Sequence, residues 1–165
     1  MPNECYNYVR ITVPEDKPEL KAMLLERPFL PESYFDQPEP NGRDDRVLME
    51  WRRENFYTDR FWANYMEPRS PFLMPNKDDI SCIFQTAWAP PVKFYQRLYE
   101  LYPVLEIYYE YNEWGMGFCG HGRNSDVHVH MNYETKDELE EICKEHNWYM
   151  QPFNPHFDCE LVNDT

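Results

Sequence analysis

The chain has 165 residues, of which 30 are Asp or Glu and 16 are Lys or Arg, so its formal net charge is −14. This length is sufficient for one domain with a buried core, and an aromatic content of 17% argues against a disordered acidic tail. No apolar run approaches the roughly 18 residues of a membrane-spanning helix, and the acidity opposes binding to nucleic-acid phosphates.

A strand followed by a helix is predicted at the beginning of the chain. Apolar and polar residues largely alternate between Cys5 and Val13, which is the period-two pattern of a half-buried strand. Pro18 and the acidic residues before it are typical of a helix N-terminus. Leu20 and Leu24 belong to the apolar stripe of this helix, and Pro28 ends it.

Residues 29–79 lack such regular periodicity and are rich in prolines and aromatic residues. A helix is predicted only between Val47 and Met66. Because large aromatic rings are costly to leave in water, we expect this segment to be an ordered insertion that packs on the domain.

Strands and helices follow one another again in the second half of the chain. The predicted strands are Ile80–Gln85, Leu105–Tyr111, Met116–Cys119 and Val127–Tyr133, and the predicted helices are Pro90–Tyr102 and Thr135–His146. Glycines at positions 115, 117, 120 and 122 indicate a turn region. Thr135 and Glu138 match a helix capping box.

This order of elements predicts an α+β fold, namely a ferredoxin-like antiparallel sheet with helices on one face and a long aromatic-rich insertion. We expect residues 1–165 to form a single domain, with the insertion at about 29–79.

Several short motifs in the sequence resemble those of the YubB ferredoxin-like family, whose members are small proteins of phages, prophages and plasmids. The most specific motif is Phe84–Pro91, which reads FQTAWAPP. The opening Met1–Asn7 and the segment Tyr102–Gly120 also support the resemblance. The chain departs from the family at Glu4 and at Asn55–Arg60. The resemblance implies a ferredoxin-like fold and a mobile-element origin, and it supplies no catalytic residues.

Trp88, the tryptophan of the FQTAWAPP motif, is predicted to have a structural role. Pro90 and Pro91 fix the start of a helix, and we expect Trp88 to pack at the corner between strand and helix.

The five cysteines are odd in number and scattered, which fits a reducing compartment better than a disulfide scaffold. The N-terminus also lacks the basic and apolar segments of a signal peptide. We therefore expect the protein to be in the cytoplasm of a host cell.

A metal site is the first chemical possibility considered. His128 and His130 have a spacing that can ligate zinc, but the alternation of the strand directs both away from the face that Cys143 and His146 of the last helix would occupy. With His128 and His130 as the remaining candidate ligands, we predict no metal site and no cofactor.

A second possibility is a nucleic-acid platform. Tyr6, Tyr8, Arg10 and Tyr108 are predicted to share one sheet face with these histidines, as aromatic residues do in folds that stack RNA bases. Such platforms depend on surrounding Lys and Arg, whereas this face adds glutamates. We therefore predict no direct contact with nucleic acid, and no contact with a membrane.

Acidic residues concentrate in the last helix, where Glu134–Glu145 contains six acids and two lysines, a local net charge of −4. Our leading hypothesis is a non-catalytic mobile-element protein that binds a host protein with a basic surface, and that mimics nucleic-acid charge if the partner binds nucleic acid. The predicted contact residues are Glu106, Glu110, Asp137, Glu138, Glu141 and Glu145.

Two alternatives remain open. One is an enzyme for a small substrate or a nucleotide, with a pocket between the insertion and the sheet; its predicted residues are Trp51, Asn55, Trp88, Glu113 and His121. The other is a structural or assembly module, and the oligomeric state is undetermined by the sequence. The absence of a catalytic motif favours a protein that is not an enzyme.

Overall fold

The structure is a computed structural model that describes residues 4–29, 34, 45–56, 74–76 and 79–148. Its helices are α1 (Pro18–Glu26), α2 (Asp45–Phe56), α3 (Val92–Leu101) and α4 (Lys136–Glu145), and its strands are β1 (Glu4–Thr12), β2 (Met74–Pro75), β3 (Ile80–Ala87), β4 (Glu106–Glu113), β5 (Phe118–Arg123) and β6 (Asp126–Asn132). Within these ranges, no helix is both long and apolar enough to cross a membrane.

The six strands form one antiparallel sheet in the order β2-β3-β1-β4-β5-β6. The first strand of the chain therefore lies between β3 and β4, which are joined by α3. This is a split β-α-β arrangement, as the order of elements predicts. The α+β ferredoxin-like fold class is confirmed.

One side of the sheet, which we call the α3 face, carries the larger core. Cys5, Val9 and Ile11 alternate along β1 and are fully buried on this face. Helix α1 covers it with Leu24, and α3 covers it with Phe94, Tyr95 and Leu98. These helices are amphipathic because their apolar residues recur every three or four positions.

The opposite side, which we call the α4 face, carries a second core. Cys119 of β5 is buried there with Leu139 and Cys143 of α4 and with Trp148 after it. Helix α4 therefore lies on the face opposite to α1 and α3, whereas the sequence predicts helices on one face only. The apolar stripe of this helix, Leu139, Ile142 and Cys143, has the three-to-four-residue spacing from which the sequence predicts the helix.

Glycines 120 and 122 lie inside β5, whereas their spacing predicts a turn region. The aromatic rings of Tyr111 and Tyr109 lie across these two glycines on the α3 face. The Tyr111 hydroxyl reaches Nδ1 of His130 at 2.9 Å, and the Tyr109 hydroxyl donates to the Asp126 carbonyl at 3.0 Å. A side chain at either glycine would overlap a tyrosine ring.

Parts of the predicted insertion pack on the α3 face. Phe29 is fully buried, with its ring 4.9 Å from that of Phe94, and Tyr34 is buried beside it. Helix α2 begins two residues before the predicted helix, and residues 57–73 lie outside the described part of the chain.

We expect Gly120→Ala to destabilise the protein by about 2 kcal/mol or more, because the new methyl group overlaps the Tyr111 ring and the Val129 carbonyl oxygen. Urea unfolding monitored by circular dichroism measures this loss. Asn132→Ala, at an exposed position of the neighbouring strand, is the control and should change stability by less than about 0.5 kcal/mol. Equal stability of the two variants would contradict the tyrosine-over-glycine packing.

Candidate functional site

Helix α4 starts at the predicted cap. The Thr135 hydroxyl accepts a hydrogen bond from the Glu138 backbone N–H at 3.2 Å, and the Glu138 carboxylate accepts one from the Glu134 backbone N–H at 2.8 Å. This reciprocal pair satisfies backbone donors that the first helical turn leaves free. Glu138 is therefore partly committed to capping, although its side chain remains exposed.

The two sides of α4 differ in charge. Leu139 and Cys143 are buried against the sheet, while Asp137, Glu141 and Glu145 recur every four residues and are exposed. We call these three residues the acidic ridge. Like charges four residues apart on a helix repel by about 0.2–0.5 kcal/mol per pair. Asp137 lies in the first turn, where the helix dipole favours an acid, whereas Glu145 lies at the C-terminal end, where the dipole does not.

The two acids predicted on β4 have different environments. Glu106 is exposed and forms an ion pair with Arg123 at 2.8 Å. Glu110 is only 1% exposed, and the Tyr108 hydroxyl donates a hydrogen bond to its carboxylate at 2.8 Å. Glu110 therefore does not belong to an exposed contact surface. Its position on β4, between Tyr8 of β1 and His121 of β5, places it inside the α4 face.

The aromatic residues predicted to form a platform do share one face. Cross-strand pairing places Tyr6, Tyr8, Arg10 and Tyr108 on the α4 face. Tyr8 is only 5% exposed, and the Arg10 guanidinium lies 5.3 Å from the centre of the Tyr108 ring. Because Tyr8 is buried, its ring lacks the open surface that base stacking requires. Arg10 lies over the ring of Tyr108, where a stacked base would lie.

His128 and His130 lie on opposite faces of the sheet, contrary to the prediction from strand alternation. A β-bulge shifts the register between His121 and Gly122, and the extra residue reverses the direction of the side chains. The ring of His128 is parallel to that of His121 at 6.2 Å. The ring of His130 lies 5.3 Å from that of Phe118 on the α3 face.

His121 is the centre of an aromatic cluster that the sequence did not predict. The indole N–H of Trp148 donates to Nδ1 of His121 at 2.9 Å, and the His146 ring lies 5.8 Å from it. Burial lowers the pKa of His121, and the positive charges of His146, His128 and Arg123 lower it further. No sequence motif signals this cluster, because its members come from two strands and the end of α4.

This hydrogen bond disfavours metal binding at His121. A neutral imidazole has one acceptor nitrogen, and Trp148 occupies it, so the proton of the ring is on Nε2. Among the residues that the structure describes, no group of three or more His, Cys, Asp or Glu is placed to hold a metal ion.

The residues of the predicted pocket are divided between the two faces. Glu113 is fully buried at the end of β4, and its carboxylate accepts hydrogen bonds from the backbone N–H groups of Gly115 and Met116. Glu113 pairs with Cys5 on the α3 face, whereas His121 belongs to the α4 face. The sheet therefore separates Glu113 from His121.

The other three predicted pocket residues lie at different places. Trp51 is half-buried on α2, which neighbours α3, and the side chain of Asn55 lies outside the described part. Trp88 follows the last residue of β3 and is 46% exposed.

Trp88 adopts an unusual backbone conformation. Its φ is +69°, and the Ala89 N–H donates to the Ala87 carbonyl at 2.8 Å. This is a γ-turn with positive φ, the less common and more strained form. The sequence predicts that Trp88 packs the corner between β3 and α3, but almost half of its surface is exposed.

Buried polar groups hold this turn in place. The Asn7 amide donates to the Thr86 hydroxyl and to the Cys5 carbonyl, each at 2.9 Å. The Thr86 hydroxyl in turn donates to the Ala89 carbonyl at 2.7 Å. Asn7 and Thr86 are fully buried, so the conformation of the exposed tryptophan is determined from inside the domain.

Comparison with known proteins agrees with this architecture. The sequence profile of the family described as the ferredoxin-like domain in Api92-like protein matches residues 61–151, more than half of the chain. The chain belongs to this family. No curated protein and no solved structure was found to match it. The Api92-like match contains β2 to β6, α3 and α4, whereas β1, the central strand of the same sheet, precedes it.

The stability of the fold should depend on pH through His121. Because its pKa is lower in the folded protein than its ordinary value of 6.5, the unfolded chain binds the proton more readily, and stability falls as pH drops through about 6.5. Urea unfolding at about pH 7.5 and 5.5 should show a smaller loss for His121→Gln than for wild type. His130→Gln is the control, and an unchanged loss in His121→Gln would contradict the assignment.

Two substitutions at position 88 measure the backbone strain. Both Trp88→Gly and Trp88→Ala remove the indole, but only glycine takes a positive φ without a Cβ clash. We expect the glycine variant to be more stable than the alanine variant by about 1–2 kcal/mol in urea unfolding. The control is the same pair at Arg97, an exposed position within α3. There Arg97→Ala should be more stable than Arg97→Gly by about 1 kcal/mol.

Proposed function

We propose that this protein is a non-catalytic binding module that docks on a basic protein surface through the acidic ridge. The observation that supports this most directly is the ridge itself, formed by Asp137, Glu141 and Glu145. It is exposed along the whole helix, and its neighbouring carboxylates repel one another. A partner that supplies Lys or Arg side chains would relieve that repulsion and would associate faster through charge attraction.

The overall charge favours the same kind of partner. The chain has a net charge of −14, and Glu134 adds an exposed carboxylate to those of the ridge. Attraction between oppositely charged surfaces raises association rates most at low ionic strength. The proposal therefore predicts that binding weakens as the salt concentration rises.

The resemblance to the YubB family suggests where the partner comes from. We propose that the protein belongs to a phage or plasmid and acts in the cytoplasm of its host, where the partner is a host protein. If that partner is a nucleic-acid-binding protein, the regularly spaced carboxylates would compete with phosphates, and the protein would act as an inhibitor.

The enzyme hypothesis receives less support from the site. Glu113 and His121 lie on opposite faces of the sheet, and the Glu113 carboxylate is occupied by backbone N–H groups. Burial raises the pKa of Cys119 to about 12, so the cysteine closest to His121 in sequence is a thiol at neutral pH. An assembly module remains the other candidate, and self-association through the β6 edge would favour it.

Neutralising the ridge tests the proposal. The variant Asp137→Asn, Glu141→Gln, Glu145→Gln removes three charges and leaves the Thr135–Glu138 cap unchanged. We expect wild-type protein to retain specific basic proteins from host lysate at low ionic strength, and the variant to retain at least about tenfold less. Quantitative mass spectrometry of the retained proteins measures this ratio.

The matched control is Glu15→Gln, Asp16→Asn, Glu19→Gln, which removes three exposed charges next to or in α1, on the other side of the sheet. It should retain the same proteins as wild type. Loss of binding in both variants would indicate a response to net charge alone, and retention by neither wild type nor variant would refute the proposal.

A further inference from the structure

Three connecting segments leave the sheet at the same end. Strand pairing aligns Ala87 with Glu4, Glu113 with Cys5, and Phe118 with both Glu113 and Asn132. The segments that follow β3, β4 and β6 therefore emerge together. We call this region the Trp88 end of the sheet. From β3 to β6 it is about 19 Å wide, because adjacent strands are about 4.8 Å apart.

Two large apolar side chains are exposed at the Trp88 end. Trp88 is 46% exposed and Met116 is 60% exposed. Each is carried by a turn that a buried polar side chain holds, since Thr86 bonds to Ala89 next to Trp88 and Glu113 bonds to the Met116 backbone. A backbone held in this way loses little conformational entropy on binding, which favours affinity.

Acidic residues are present at the β1 and β6 positions of the Trp88 end. Glu4 is half-buried beside Ala87, and Glu134 and Asp137 are exposed where β6 leads into α4. The acidic ridge begins at Asp137, so the ridge and the Trp88 end are continuous through the first turn of α4. An apolar centre with a charged border is the usual anatomy of a protein interface.

We propose that Trp88 is the anchor residue of a protein-docking surface, and that its indole enters an apolar pocket bordered by Lys or Arg on the partner. The inference rests on the proposed function, since the partner is the same basic protein that the acidic ridge binds. Tryptophan is among the residues that dominate interface energetics when they enter a pocket. Glu4 on the Trp88 side and the acids that follow β6 complement a basic surface that spans this end of the sheet, which specifies the chemistry of the partner.

The backbone at position 88 supports a role for the side chain. Glycine would adopt the φ of +69° without a Cβ clash, and the chain instead has its bulkiest residue there. The Asn7–Thr86 network holds the turn through buried polar groups and the Ala89 carbonyl. Strained residues held by a rigid surrounding are characteristic of binding sites.

The test compares affinities for the basic protein that the wild-type chain retains, once that protein has been purified. Trp88→Gly preserves the backbone conformation and removes the indole. Surface plasmon resonance should show a Kd at least about tenfold higher, mainly through faster dissociation. Leu101→Ala is the matched control, because Leu101 is 48% exposed at the opposite end of α3, and its Kd should stay within about twofold.

The ridge variant separates this inference from the proposed function. Neutralising the acidic ridge should mainly slow association and weaken the salt dependence. If the ridge variant loses binding while Trp88→Gly keeps the wild-type Kd, the anchor is refuted and the proposed function stands. If wild-type protein retains no basic protein, both are refuted.

A folding defect is also informative. Trp88→Asn is used beside Trp88→Gly, because asparagine also tolerates positive φ. Circular dichroism should show that Trp88→Gly and Trp88→Asn are both folded. If neither folds, Trp88 is a core residue, and the anchor is refuted without any binding measurement.

Discussion

The position of β1 between β3 and β4 is the constraint on which the rest of the structure depends. This strand pairs along its whole length with both neighbours, so the two strands joined by α3 meet only through it. Its alternation places Cys5, Asn7, Val9 and Ile11 on the α3 face and Tyr6, Tyr8 and Arg10 on the opposite face. It also supplies Asn7, which holds the Thr86–Ala89 turn. The Api92-like match does not include this strand, so the strand that organises the sheet is distant in sequence from the elements that define the family.

The two cores give the molecule two different surfaces. On the α3 face, long aromatic side chains fill the space beneath α1 and α3, and Tyr109 and Tyr111 extend over glycines to the edge of the sheet. On the α4 face, α4 covers only part of the sheet, over β5 and β6. Covering the sheet with the apolar stripe of α4 leaves Asp137, Glu141 and Glu145 in solvent. The acidic surface is therefore a direct result of how α4 packs, and it is continuous with the sheet end that carries Trp88.

Local patterns predicted much of the fold. The strand at Cys5–Val13, the helix after Pro90–Pro91 and the cap formed by Thr135 and Glu138 were predicted within a few residues, because period-two alternation, proline and capping depend on near neighbours. Gly115 and Gly117 lie in the predicted turn, but the prediction was wrong for Gly120 and Gly122, which lie in β5. The reason for them is a pair of tyrosines on the adjacent strand, which sequence spacing does not show. The β-bulge that separates His128 from His130 has no local signal either.

The sequence by itself determined the acidity of the last helix and the stripe of Leu139 and Cys143 that divides it into an apolar and a charged side, because both follow from the 3.6-residue period of a helix. Tertiary structure decided which predicted residues face solvent. It buried Glu110 and Glu113 within the sheet and divided Glu113 and His121 between its faces. It also exposed Trp88 at a positive φ. The physical reason is that burial depends on what packs against a side chain, and those neighbours come from strands that are distant in the chain.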